Sequence, residues 1–181
     1  MRSVVRPGTA GQAVLTADDV ARRVGELGRE ISADHAHRGV LLVGVLGGAV
    51  LFTVDLARAL HVPVRLDWVA VASQVSGTGR SGSVRLTKNL DTDPTGRDVV
   101  IVDAVMDTGF PLSWLTAWIA GRGARSITAC VLLRTRRAQL LPYVPRYVGF
   151  DLDMAVDEVS GYGTDLDSLI QVPRRTPLAR G

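Results

Sequence analysis

In the stretch VVIVDAVMDTG, residues 99–109, four apolar residues run straight into Asp103. Asp107 follows four positions on, with Thr108 and Gly109 directly behind it. In a parallel sheet, ligands lie beyond the carboxyl ends of the strands, and Asp103 stands at such an end. A turn at Asp107–Gly109 that opens a helix offers free backbone N–H groups and a helix dipole, which together make an anion cradle. Thr108 adds a hydroxyl donor, and Gly109 lets the backbone approach closely. Carboxylates beside an anion cradle suit a ligand that carries both phosphate and hydroxyls, such as a sugar phosphate. Asp103 could accept from ribose hydroxyls or help hold Mg²⁺. Asp107 could act as a base. The structural alternative is an ordinary strand-to-helix turn with Asp107 as the N-cap. The residue types alone leave these two readings even.

The elements that must position these residues follow from periodicity. Val20, Val24, Leu27 and Ile31 sit at helical spacing in residues 17–33, with Thr16 and Asp19 as a capping pair. Residues 40–46 read as a buried strand. Residues 49–60 read as a helix with Val50, Val54, Ala57 and Leu60 on one face. In residues 64–72, Val64, Leu66, Trp68 and Ala70 alternate with the wetter Arg65 and Asp67. SQVSGTGRSGS, residues 73–83, has little to bury and is expected to be a mobile loop. A short strand near Val84–Leu86 and the turn-rich LDTDPTGR follow. Residues 98–103 form a continuous apolar strand, and residues 112–120 a helix with Leu112, Leu115, Trp118 and Ile119 inward. Residues 126–133 and Tyr147–Phe150 give two more strands. Strands that alternate with helices and are buried on both faces predict an α/β domain with a largely parallel sheet.

The chain has 181 residues, 46% hydrophobic and 22% charged, enough for one domain with a sizeable core. No apolar run approaches the roughly 18 residues of a membrane span. MRSVVRPGTAGQAV lacks the apolar stretch of a signal peptide, so a cytoplasmic location is expected. The net charge of +3 resides in the last eight residues, RRTPLARG. Without them, 18 basic residues face 18 acidic ones. A neutral body with a basic tail argues against a nucleic-acid interface, which needs a basic stripe on a folded face.

Other candidate chemistry falls away. Gly77, Gly79 and Gly82 match G-x-G-x-x-G, but the continuation SVRLTKNLDTD is not the helix that a dinucleotide fingerprint requires. Cys130, inside ITACVLL, reads as a small core residue. His35, His37 and His61 lie near element ends without metal-ligand partners, so surface or capping roles are expected. Trp114 and Trp118 share a helical face.

With these residues in view, VVIVDAVMDTGFPL resembles the phosphoribosyl-pyrophosphate (PRPP) motif of type I phosphoribosyltransferases. Over residues 15–173 the chain is similar to hypoxanthine-guanine phosphoribosyltransferases. SGTGRSGSVRLTKNLDTDPTGRDVVIVD looks like that family's flexible loop, hairpin and central strand. LGGAVLF looks like its pyrophosphate loop, and YVGF and GYGTD like its late signatures. The resemblance implies a type I phosphoribosyltransferase fold, with a mainly parallel central sheet flanked by helices, a mobile loop and a small hood. It makes residues 1–14 an N-terminal extension and residues 174–181 a basic tail. It implies Mg²⁺-dependent transfer from PRPP to a nitrogenous base with release of pyrophosphate, by a homodimer or homotetramer. Matched to the motifs, Asp107 is the general base, and Asp103, Thr108, Gly109, Gly47, Gly48 and Ser73 bind PRPP. Thr135, Arg134, Glu158 and Val159 line the base. Asp165 and Asp103 serve the metal.

Several positions depart from the family pattern. Ala104 replaces the second acid, Pro111 a phosphate-binding Thr, and Gln74 the loop tyrosine. Gly47 stands where Lys or Arg is common, and Gln171 where an Arg meets pyrophosphate. Thr135 falls on the lysine that reads the purine 6-oxo group, with Arg134 adjacent, and Glu158 falls on a stacking ring. Two expectations follow. One is an active phosphoribosyltransferase with a non-standard, purine-like acceptor, in which Arg80, Arg136 or Arg137 makes up for lost phosphate contacts. The other is a catalytically impaired PRPP- or nucleotide-binding regulatory or partner protein.

Overall fold

The computed structural model describes residues 3–5, 15–75, 82–152 and 161–164. Two short strands, β1 (Ser3–Val5) and β2 (Leu15–Thr16), pair antiparallel just before the first helix, α1 (Ala17–Asp34). The capping pair forms as expected. Thr16 Oγ1 accepts from the Asp19 N–H at 3.1 Å, and Asp19 Oδ2 accepts from the Thr16 N–H at 3.0 Å. A cap of this kind stabilises a helix by about 1 kcal/mol. It sets the start of the amphipathic run whose Val20, Val24, Leu27 and Ile31 are buried.

The chain continues through β3 (Val40–Val45), α2 (Val50–Ala59), β4 (Val64–Val75), β5 (Gly82–Lys88) and β6 (Asp98–Met106). It closes with α3 (Phe110–Ala120), β7 (Ser126–Thr135), α4 (Arg136–Gln139) and β8 (Tyr147–Leu152). Six strands make one sheet in the order β5-β4-β3-β6-β7-β8. Only the β4–β5 pair is antiparallel. This is the largely parallel α/β sheet that the alternation of elements predicts.

The two faces of the sheet explain why β3 and β6 read as continuous apolar runs. Leu42, Val100 and Val102 pack with Val24, Leu27, Phe52 and Leu56 of α1 and α2. Leu41, Val43, Val99 and Ile101 pack with Leu112, Leu115 and Ile119 of α3. Side chains alternate across a strand, so a strand covered on both faces is apolar at every position.

Three sequence expectations are corrected. The buried residues of α2 are Phe52, Thr53 and Leu56, not Val50, Val54, Ala57 and Leu60. Val54 is an exposed large hydrophobic residue. Both stripes have helical spacing, and only the docking against α1 and the sheet selects between them. In β4, Asp67 is buried and Leu66 is exposed. Asp67 accepts from the N–H groups of Trp68, Asp91 and Thr92 at 2.7, 3.0 and 2.7 Å. Burial alone would push its pKa up, but these donors outweigh it and the pKa lies below the usual carboxylate range. Trp118 is partly buried against the cluster of Leu112, Leu115 and Ile119, as expected. It stacks on Trp114, and the Arg122 guanidinium lies 3.5 Å from its ring centre. His35 is the C-cap of α1, yet its side chain is 9% exposed and Nδ1 sits 3.8 Å from Asp98. The chance G-x-G-x-x-G is confirmed as such, because Gly82 opens a strand rather than a helix.

Candidate active site

The strand order fixes where a ligand can sit. From β3 the chain moves outward to β4 and β5; from β6 it moves the other way, to β7 and β8. The order reverses between β3 and β6, and at such a switch point the loops after the two strands diverge and leave a crevice. Residues 46–49 follow β3, and residues 107–109 follow β6. The sequence-predicted residues Gly47, Gly48, Asp107, Thr108 and Gly109 therefore flank one crevice, with Asp103 on β6 beneath it.

Strand β6 runs three residues beyond Asp103, to Met106. The turn that follows is built around Gly109, which holds φ +64° and is the N-cap of α3. The site requires glycine for its conformation, and a Cβ here would also displace the flexible end of Met106, 2.7 Å away at Cε. No side chain caps α3, which removes the N-cap reading of Asp107. Among the described residues the N–H groups of Thr108 and Gly109 have no hydrogen-bond partner. They are available to an anion together with the positive end of an 11-residue helix. Pro111 occupies the first turn of α3, where a missing N–H costs the helix nothing but leaves the cradle one donor short.

Asp107 is held from the neighbouring strand. β6 and β7 pair in parallel with Met106 opposite Arg134, so the next residues, Asp107 and Thr135, also face each other. Thr135 is completely buried, and its hydroxyl donates to Asp107 Oδ1 at 2.7 Å. Arg137 Nη1 lies 3.6 Å from Asp107 Oδ2. Arg134 is committed elsewhere: it grips Asp151 with two bonds of 2.6 and 2.9 Å. Thus the structure brings Thr135 and Arg137 to Asp107, and not Arg134. The cue for Arg137 was the cluster TRR beyond a strand's carboxyl end, which singles out the region but not the residue.

Asp103 accepts from the Ala104 N–H at 2.8 Å. Its side chain keeps some surface, but protein crowds the carboxyl. Burial pushes its pKa up to about 6, against the backbone donors of Ala104 and Val105. No cationic side chain contributes to that balance. A carboxylate short of positive charge is a natural partner for a cation or for hydroxyl donors. No cluster of three or more metal-ligating side chains occurs among the described residues. Ala104 is buried and offers no carboxylate in place of a second acid.

On the β3 side, Gly47 has φ +103°. The turn of residues 161–164 lies against the loop. A Cβ on Gly48 would meet Thr164 Cα at 3.3 Å, and one on Gly163 would meet Leu51 at 3.3 Å. Tyr162, at φ +54°, donates its hydroxyl to Asp55 of α2. Neither this bond nor the Thr116–Tyr143 contact of 2.8 Å behind Gly109 could be read from the sequence, because each joins residues far apart along the chain. Ser73 pairs with Val84 through the backbone, and its side chain lies outside the description. Glu158, Val159, Asp165, Arg80 and Gln171 lie outside the described residues.

Comparison with known proteins places the chain and its fold in a known family. The family model of the phosphoribosyl transferase domain matches residues 10–167. The chain is 44% identical over 167 residues to the hypoxanthine-guanine phosphoribosyltransferase of Mycobacterium tuberculosis, covering 89% of this chain and 82% of that protein. Among solved structures, it is similar to the hypoxanthine phosphoribosyltransferase of Trypanosoma cruzi in complex with the product IMP. There the TM-score is 0.74 and the identity 30%, with 85% of this chain and 86% of that one covered. A second T. cruzi structure, concerned with the role of the C-terminal region in oligomeric state and enzymatic activity, superposes with TM-score 0.80 at 28% identity. It covers 95% of this chain and 91% of that one.

Proposed function

Since the chain belongs to the phosphoribosyltransferase family and is such an enzyme, we propose that it moves the 5-phosphoribosyl group of PRPP to a nitrogen of a 6-oxopurine, with release of pyrophosphate. The observation that carries this reading is the Asp107 carboxylate. It is free of helix capping, held by Thr135, and heads a turn whose N–H groups have no partner among the described residues.

In this reading the cradle of Thr108 and Gly109 holds the 5′-phosphate. Asp103 accepts from a ribose hydroxyl. The N–H groups of the Gly47–Gly48 turn face the pyrophosphate. Asp107 takes the proton from the base nitrogen as that nitrogen bonds to the ribose carbon and pyrophosphate leaves. Electrostatic stabilisation of the departing anion comes from donors fixed before the reaction begins. Asp103, with its uncompensated carboxyl, and Asp165, which the motif assigns, would hold Mg²⁺. When bound, Mg²⁺ supplies positive charge to the leaving group.

The expectation of a non-standard acceptor rested on Thr135 and Glu158. Thr135 is buried behind Asp107, so its type reflects how the carboxylate is held rather than which base is bound. Glu158 lies outside the described residues, and kinship with the hypoxanthine-guanine enzymes favours hypoxanthine or guanine. Buried Ala104, with no acid to give, favours the second reading, an impaired PRPP-binding protein. We also propose that the protein is a cytoplasmic homodimer or homotetramer.

The test is PRPP-dependent pyrophosphate release with hypoxanthine, guanine and adenine. Turnover of the 6-oxopurines supports the proposal. PRPP binding without turnover of any base favours the impaired reading.

A further inference from the structure

We infer that Thr135 is a positioning residue for the reaction: its hydroxyl fixes Asp107 Oδ1, so that Oδ2 is the oxygen presented to the base. The inference rests on the function proposed above. A threonine hydroxyl has one proton to give and can accept others. Thr135 is the N-cap of α4, and its Oγ1 accepts from the Ala138 N–H at 3.4 Å. That N–H can only donate, so the hydroxyl proton is directed to the other partner, Asp107 Oδ1, at 2.7 Å. Thr135 has no accessible surface, so no water competes for the proton. A group that must donate leaves Oδ1 as an acceptor already engaged, and the proton-accepting task passes to Oδ2.

The same residue also sets the approach of Arg137. As N-cap, Thr135 starts the four-residue helix on which Arg137 is carried. At 3.6 Å from Oδ2, Arg137 attracts that oxygen without the close bond that would occupy it. Hence the cap of α4 and the orientation of Asp107 are one device. Thr135 ends β7, the strand that pairs with the one leading into Asp107, and Arg136 and Arg137 follow it.

The test compares wild type with Thr135→Val and Thr135→Ser. Valine keeps the volume and removes the hydroxyl; serine restores it. The inference expects Thr135→Val to lower kcat by about 10-fold or more, the scale of losing one oriented hydrogen bond to a charged group. KM for PRPP should stay within about 2-fold, because the phosphate cradle is untouched. Thr135→Ser should recover kcat to within about 3-fold. A valine variant that keeps wild-type kcat overturns the inference, as does one whose kcat and PRPP KM worsen together without rescue by serine. Should Thr135→Val fail to fold, a wild-type kcat for Thr135→Ser supports the inference and an equally low one overturns it. Absence of turnover by wild type defeats the proposed reaction, and with it any role for Thr135 in it. Turnover by wild type with no kcat change in the valine variant defeats the inference alone.

Discussion

A Cβ placed on Gly48 would come within 3.3 Å of Thr164 Cα and 3.4 Å of its carbonyl oxygen. The loop after β3 and the turn of residues 161–164 thus meet backbone to backbone, with no side chain between them. Gly48→Ala must push the two apart by a few tenths of an ångström. With Gly48 in the pyrophosphate loop, KM for PRPP is expected to rise about 5- to 10-fold, a cost of about 1 kcal/mol, with kcat changed less. Initial-rate kinetics with varied PRPP would show this. An unchanged KM would mean that the loop does not contact PRPP.

Asp107→Asn keeps the shape of the side chain and its bond with Thr135 while removing the base. A fall in kcat of about 10²- to 10⁴-fold is expected, with PRPP affinity by calorimetry retained within a few-fold. Full activity would move the proton acceptor to another group.

Gly109 combines φ +64° with a Cβ position 2.7 Å from Met106 Cε. Gly109→Ala is expected to lose about 1–3 kcal/mol of stability in urea unfolding, because a non-glycine residue is strained there and must also displace Met106. The phosphate cradle shifts with it, so kcat/KM for PRPP should fall in the same variant. A variant as stable as wild type would refute the strained turn.

Asp98, far from the crevice, predicts how stability depends on pH. Its bidentate partner Arg125 and the Ser126 hydroxyl at 2.6 Å overcome burial and hold its pKa down, at about 2. A carboxylate whose folded pKa is depressed stabilises the protein above its unfolded pKa, near 3.9. That contribution is lost as pH falls through the folded value. The side chain is 12% exposed, so the contribution at neutral pH is about 2 kcal/mol. Asp98→Asn should lower stability at pH 7 and flatten the decline between pH 4 and pH 2, read by urea unfolding at each pH. An unchanged acid profile would remove Asp98 from the account.

How much of this was legible in the sequence varies from residue to residue. VVIVDAVMDTG announced a buried strand, a glycine turn and a helix, because each rests on neighbours within a few positions. Helix α1 and its cap were equally plain, since Thr16 and Asp19 are three residues apart. The buried face of α2 was not. Val50 with Val54, and Phe52 with Leu56, both have helical spacing, and only contact with α1 and the sheet chose the second. Asp67 looked wet because it is charged, yet three backbone donors from Trp68, Asp91 and Thr92 pay for its burial.

By itself, then, the sequence determined the order of the six sheet strands and of α1, α2 and α3, the largely parallel sheet and the acids at the carboxyl end of β6, since local periodicity and turn chemistry specify these. The tertiary structure decided what surrounds those acids. The β6–β7 register sets Thr135 against Asp107 across 28 residues of chain, commits Arg134 to Asp151, and leaves Arg137 facing the carboxylate. No short-range pattern carries that information, because a hydrogen bond depends on distance in space, and the path of the sheet alone brings these residues together.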